Sequence, residues 1–131
     1  MKVKMSQKVL FSIIESPLHP NFIDLYQSLN IENVQFNSMR KAISHLKKQQ
    51  PDFVVADFLF GYGNNYAGVN VCNLDVFLSS LQKYAPEAKV IVMVEKHEVK
   101  HVSKLADLFT LHAVLQYPVS IEVMKEMLAQ T

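Results

Sequence analysis

The chain predicts an α/β fold, a parallel sheet with helices packed on both faces. Three observations predict it. Apolar runs of strand length alternate with stretches of helical periodicity, five times over. Three of those runs, Lys8–Ile14, Phe53–Ala56 and Lys89–Val94, are almost continuously apolar, the pattern of strands covered on both faces. The connections between units are short, apart from one after Asp57, and alternating units with short links build parallel crossovers.

The first strand is Lys8-Val9-Leu10-Phe11-Ser12-Ile13-Ile14. Glu15 to Pro20 is a loop broken by two prolines, and Pro20 suits the first turn of a helix. Phe22, Leu25, Tyr26 and Leu29 then fall on one helical face. Ile31 to Phe36 alternates polar with apolar residues and reads as a strand near an edge. Asn37 or Ser38 suits the cap of the second helix, whose apolar face is Met39, Ala42, Ile43 and Leu46. Lys47-Lys48-Gln49-Gln50 is its solvated end, with positive charge where a helix C-terminus favours it. Pro51 stops it.

The third strand, Phe53 to Ala56, ends on one carboxylate, Asp57, with Phe58, Leu59 and Phe60 directly after it. An ionised carboxylate among apolar residues costs several kcal/mol unless it is paired. The carboxyl end of a buried strand, facing the crevice where open α/β sheets place their sites, meets that need. All three glycines, Gly61, Gly63 and Gly68, follow in a long Gly/Asn segment; long loops in compact domains often carry function. Leu74, Phe77, Leu78 and Leu81 mark a third helix, with Asn73 as its expected cap. Lys89–Val94 is the fourth strand and Val102, Leu105, Ala106 and Phe109 the fourth helical face. His112–Gln116 is a short fifth strand. Ser120 caps a last helix carrying Ile121, Met124 and Leu128.

The 131 residues suit a single domain, 1–131, with an ordered core over about 7–130. Half of them are hydrophobic and the formal net charge is +1. That excludes disorder and electrostatic capture of nucleic acid as organising themes. One cysteine, Cys72, makes no internal disulfide, which fits a reducing compartment. No apolar run reaches the roughly 20 residues needed to span a bilayer, and the apolar run Val9–Ile14 is too short for a secretion signal. A cytoplasmic protein is expected.

Pro51-Asp52-Phe53-Val54-Val55-Ala56-Asp57, Lys89-Val90-Ile91-Val92-Met93 and Tyr117-Pro118, set in five units of this order and size, resemble the receiver domain of bacterial response regulators. The resemblance covers residues 7 to 130. It implies the CheY-like branch of the flavodoxin-like fold: a three-layer α/β/α sandwich with a five-stranded parallel sheet in the order 2-1-3-4-5. It also implies two-component signal transduction. There Asp57 would be the phosphoacceptor, a nucleophile taking a phosphoryl group from a histidine kinase in a phosphorelay, with Mg²⁺ offsetting the charge.

The surrounding positions depart from that pattern. The family's acidic pair after the first strand is reduced to Glu15, which with Asp57 makes a weak Mg²⁺ site at best. The Ser/Thr position holds Val94, the Lys position holds Tyr117, and a longer segment, Leu59 to Cys72, replaces the usual short turn. These departures imply a pseudo-receiver that is not an enzyme, needs no cofactor and works by protein–protein interaction. Its partner would be a histidine kinase or a downstream effector or assembly protein, with a homodimer as a further option. The alternative is a working phosphoacceptor that retains Mg²⁺. The bland alternative for Asp57 is a relic carboxylate that accepts backbone N–H groups of the loop it starts, and for Tyr117 a packed ring with its hydroxyl in water. Candidate partner contacts are Tyr62 and Tyr66 in the long loop and His97, Lys100, His101 and Lys104 on the fourth helix. His97-Glu98-Val99-Lys100-His101 also matches the zinc-hydrolase pattern H-E-x-x-H. Lys96 and Lys100 break that pattern's uncharged surroundings, so a solvated basic helix face is expected there instead.

Overall fold

The computed structural model describes residues 7–59 and 74–129. Five strands, β1 (Lys8–Ile13), β2 (Ile31–Phe36), β3 (Phe53–Asp57), β4 (Lys89–Val94) and β5 (Ala113–Gln116), form one parallel sheet in the order β2-β1-β3-β4-β5. Five helices connect and follow them: α1 (Ile23–Ser28), α2 (Met39–His45), α3 (Asp75–Tyr84), α4 (Val99–Ala106) and α5 (Ile121–Ala129). This is the expected order, 2-1-3-4-5.

The period-two alternation of the strands divides the core into two layers. On one side Phe11, Ile13, Val54, Ala56, Val90, Val92 and Val94 pack with residues of α2, α3 and α4. On the other, Leu10, Phe53, Val55, Ile91 and Met93 pack with residues of α1 and α5. Both sides of β1, β3 and β4 are therefore covered, which is why these runs are apolar throughout. β2 shows the mixed burial expected of an edge.

Two details of the third strand follow from its first residues. Asp52 is exposed, and its carboxylate accepts the Val9 N–H at 2.8 Å. Its own N–H donates to the Val9 carbonyl at 2.7 Å, and its carbonyl accepts from Lys89 at 2.9 Å. One residue thus ties the entrances of three neighbouring strands. Downstream, register is kept to the end, where Asp57 pairs with Met93.

One helix boundary differs from expectation. α1 begins at Ile23, and Pro20 lies before it. The Asn21 side chain accepts the Ile23 N–H at 2.9 Å, so an asparagine turn leads into the helix instead of a proline. Two residues beyond α1, Asn30 has a φ of 58°, a left-handed conformation that asparagine tolerates. For α2 the expected cap is found in Ser38, whose hydroxyl accepts from Lys41. Ser120 likewise accepts from Val123 ahead of α5. Asn73, the expected cap of α3, lies outside the described residues.

Tyr26, on the buried face of α1, is 2 % exposed, and its hydroxyl has no hydrogen-bond partner. Burial pushes its ionisation well above the ordinary tyrosine range. A buried hydroxyl left unpaired costs about 1–3 kcal/mol. Tyr26→Phe keeps the ring and removes that cost. The expected result is a gain of about 1 kcal/mol, read as a melting temperature higher by about 3–5 °C. A fall in melting temperature would mean that the hydroxyl is satisfied in solution.

Candidate functional site

Three loops meet at the carboxyl edge of the sheet. β3 delivers Asp57, the segment after β1 delivers Glu15, Ser16 and His19, and the residue after β5 delivers Tyr117. Asp57 has the same parity as Phe53 and Val55, so it stands on the α1/α5 side. It is 1 % exposed.

Both oxygens of this carboxylate are taken by internal donors. Oδ2 accepts the backbone N–H groups of Glu15 at 2.8 Å and Ser16 at 2.9 Å. Oδ1 accepts the Tyr117 hydroxyl in a short hydrogen bond. His19 Nδ1 lies 3.1 Å from the same oxygen. An ionised carboxylate only accepts, so that nitrogen carries the proton. The Tyr117 oxygen is 3.3 Å from His19 Nδ1, closing a three-member cluster.

The electrostatics follow from the geometry. Burial works against the charge of Asp57, but the hydrogen bonds from His19, Tyr117 and Glu15 outweigh it, and the carboxyl is held below its ordinary value. Burial first, and then the hydrogen bond and negative charge of Asp57, push Tyr117 well above the ordinary tyrosine range. The phenol therefore stays protonated and donating across the whole working pH range.

The site predictions sort as follows. Asp57 sits where the buried-strand argument places it. Among the described residues it restrains the loop after β1, through the backbone N–H groups of Glu15 and Ser16. Glu15 meets Asp57 through its backbone N–H. Tyr117 was read as a position of the pocket beside Asp57, with a packed ring and a hydroxyl in water as the bland alternative. It is buried, with 8 % exposure, and its hydroxyl points inward to Asp57. The reason is electrostatic: a buried carboxylate rewards a donor more than solvent does. Its backbone is held by the Val94 carbonyl at 2.9 Å, and the Tyr117–Pro118 peptide is cis. Val94 is fully buried in the opposite layer. His19 was not singled out from sequence. The available signal was a histidine between two prolines in a loop that must face the strand-end carboxylate.

The remaining candidates lie elsewhere. His97 is in a 3-10 turn, Lys96–Glu98, and His101 is in α4. The His97 side chain is 72 % exposed and sits 3.8 Å from both Glu95 and Glu98. The H-E-x-x-H stretch thus straddles a change of helix type, from the 3-10 turn into α4. Among the described residues no group of three or more histidine, cysteine, aspartate or glutamate side chains is placed to hold a metal ion. Lys100 and Lys104 are exposed on α4. Tyr62, Tyr66 and Cys72 lie outside the described residues. Among the described residues no helix is long and apolar enough to cross a membrane.

No protein-family model and no curated protein matches the chain. Solved structures do match. A response regulator receiver domain protein from Clostridium thermocellum superposes with a TM-score of 0.70 at 16% identity, covering 95% of this chain and 92% of its own. A CheY-like receiver domain protein from Methanospirillum hungatei gives 0.69 at 12% identity, over 95% and 93%. A response regulator from Thermotoga maritima gives 0.65 at 14% identity, over 95% and 97%. At such identities the likeness is one of fold. The sheet order, the layer arrangement and these superpositions together establish that the chain adopts the receiver, CheY-like fold.

Proposed function

We propose that the protein is a receiver-fold signalling module that acts through protein contacts, with Asp57 withheld from phosphoryl transfer. One observation carries this: the carboxylate that would attack a phosphoryl group is buried and has both oxygens engaged by Glu15, Ser16, His19 and Tyr117. A nucleophilic carboxylate needs an exposed lone pair, a metal ion beside it and cationic donors for the incoming oxygens. Here a phenol occupies the place where the resemblance expects a lysine. The acidic pair is missing as well. On the resemblance, Glu15 and Asp57 are the carboxylates left to hold Mg²⁺, which prefers a near-ideal octahedral set. The partner surface on this reading is the face of α4, β5 and α5. It carries exposed His97, Lys100 and Lys104 beside exposed Val114 and Ile121, a mix of charge and apolar area suited to a protein partner or a second copy.

The test is mass spectrometry after incubation with Mg²⁺ and acetyl phosphate or phosphoramidate. The expected result is an unmodified mass. A single phosphoryl adduct on the native chain that is absent from Asp57→Asn would replace this reading with the phosphorelay one.

A further inference from the structure

The outer face of α2 carries charge of one sign. From Asn33 to Pro51 the chain has no acidic residue and four cations, Arg40, Lys41, Lys47 and Lys48. All four are exposed, as is Ser44 among them. Lys48 and Gln49 donate to the His45 carbonyl at 2.9 and 3.0 Å, so the helical path runs on past the last residue of α2. At about 100° per residue the four cations and Ser44 fall within an arc of about 120°, and the row from Arg40 to Lys48 is about 12 Å long. Ala42 and Leu46 are buried on the other side. The acids that bracket the segment are engaged: Asp52 accepts the Val9 N–H at 2.8 Å and Glu32 the Gln49 amide at 3.5 Å. None of the ion pairs among the described residues involves these four cations.

Helix energetics explain half of this arrangement. A helix C-terminus favours cations, which suits Lys47 and Lys48. Arg40 and Lys41 stand in the first turn, where the macrodipole favours acids, and that turn has none. Like charges on one face also repel. Two cations thus sit where the helix alone would reject them, and a local rule broken on an exposed face marks a working surface.

We propose that the outer face of α2 is a docking surface for an acidic segment of a partner protein. Arg40 offers a planar fork that grips a carboxylate through two hydrogen bonds, and the three lysines add point charges along the row. The Ser44 hydroxyl, in their midst, donates or accepts. Other polyanions fit less well. No large apolar side chain is exposed between Asn33 and Pro51 to enter a lipid headgroup layer. The chain as a whole is nearly neutral, at +1, whereas nucleic-acid surfaces belong to strongly basic domains. α2 packs on β1 and β2, and β2 and β5 are the two edges of the sheet. This surface therefore lies across the sheet from the face of α4, β5 and α5, and one chain can hold a partner at each edge. The proposal does not depend on the state of Asp57.

The experiment is an amide NMR titration of the whole chain at low salt with hexaglutamate, and with hexalysine as the control. Hexaglutamate is expected to give saturable shifts confined to the amides from Ser38 to Gln49, with affinity falling as salt is added, and hexalysine none. In the double variant Arg40→Glu/Lys41→Glu, hexaglutamate binding is expected to weaken about tenfold or more. The melting temperature of that variant is expected to rise by about 2–5 °C, because acids suit the first turn. No saturable shifts at α2 with hexaglutamate, or unchanged affinity in the double variant, would overturn the proposal. Tighter binding of phosphatidylserine vesicles or duplex DNA at the same amides would overturn it in favour of those partners. A fall in melting temperature would mean that the fold itself uses these cations, which would also overturn it.

Discussion

Replacing Asp57 with alanine is expected to cost about 3–5 kcal/mol of folding stability at pH 7, the range for breaking a buried charged pair by removing one partner. The loss comes from what remains. The N–H groups of Glu15 and Ser16, the Tyr117 hydroxyl and His19 Nδ1 would all point at a methyl group. Hydrogen bonds to a charged group are worth about 1.5–3 kcal/mol each, and orphaned donors add their own desolvation. Asp57→Asn keeps one oxygen for the two backbone donors and loses the charge, so a smaller loss of about 1–3 kcal/mol is expected. Urea denaturation measures both. The pH dependence gives a second readout. The folded-state carboxyl lies below its ordinary value of 3.8, so in acid the unfolded chain binds the proton first. The contribution of Asp57 is complete above about pH 4 and is lost as pH falls through the folded-state value. The gap between native protein and Asp57→Ala must therefore narrow in acid. A loss below about 1 kcal/mol at pH 7, the worth of one ordinary hydrogen bond, would mean that water serves these donors and the cluster is open.

Asp57 also marks how far the sequence reaches. The two-sided apolar strands and the helical faces led to the alternating units and the parallel sheet, because each pattern has one period and one way to be buried; the strand order was implied by the resemblance to receiver domains. The need for partners at Asp57 was equally legible, since an isolated charge between Ala56 and Phe58 demands them. Their identity was not. His19 and Tyr117 lie 38 and 60 residues away from Asp57, and nothing local to either announces the contact. For Tyr117 the pocket position came with the resemblance, and the partner of its hydroxyl was not legible for a definite reason. Tyrosine at a strand end normally turns its hydroxyl to water, and only the converging loops reveal a carboxylate within reach. The unpaired Tyr26 hydroxyl was hidden in the same way. Tyr26 matches the helical face of Phe22 and Leu25, and periodicity assigns a position to a face without saying whether a hydroxyl on that face finds an acceptor.

Phe58 is the other side chain on which the site depends. It follows Asp57 with opposite parity, so its ring enters the α2/α3/α4 layer while the carboxylate enters the α1/α5 side. The ring is 1 % exposed and shares a layer with Leu74 and Phe77 of the α3 region. Its N–H donates to the Met93 carbonyl at 2.8 Å, one step beyond the last residue of β3. The ring thus anchors the strand end from behind and fixes where Asp57 meets its donors. Phe58→Ala removes a large buried ring and leaves a cavity, for which the expected loss is about 3–5 kcal/mol. Leu18→Ala provides the contrast. Leu18 is 53 % exposed in the loop after β1, and a surface change there is expected to stay within about 0.5 kcal/mol. Urea denaturation of the two variants against the native chain separates them. Phe58→Ala should also speed exchange of the Glu15 and Ser16 amide protons, whose protection depends on a carboxylate held in place from the opposite layer. If the variant loses stability while those amides stay protected to the limit of global unfolding, the strand end is held by its backbone pairing with β4 and not by the ring.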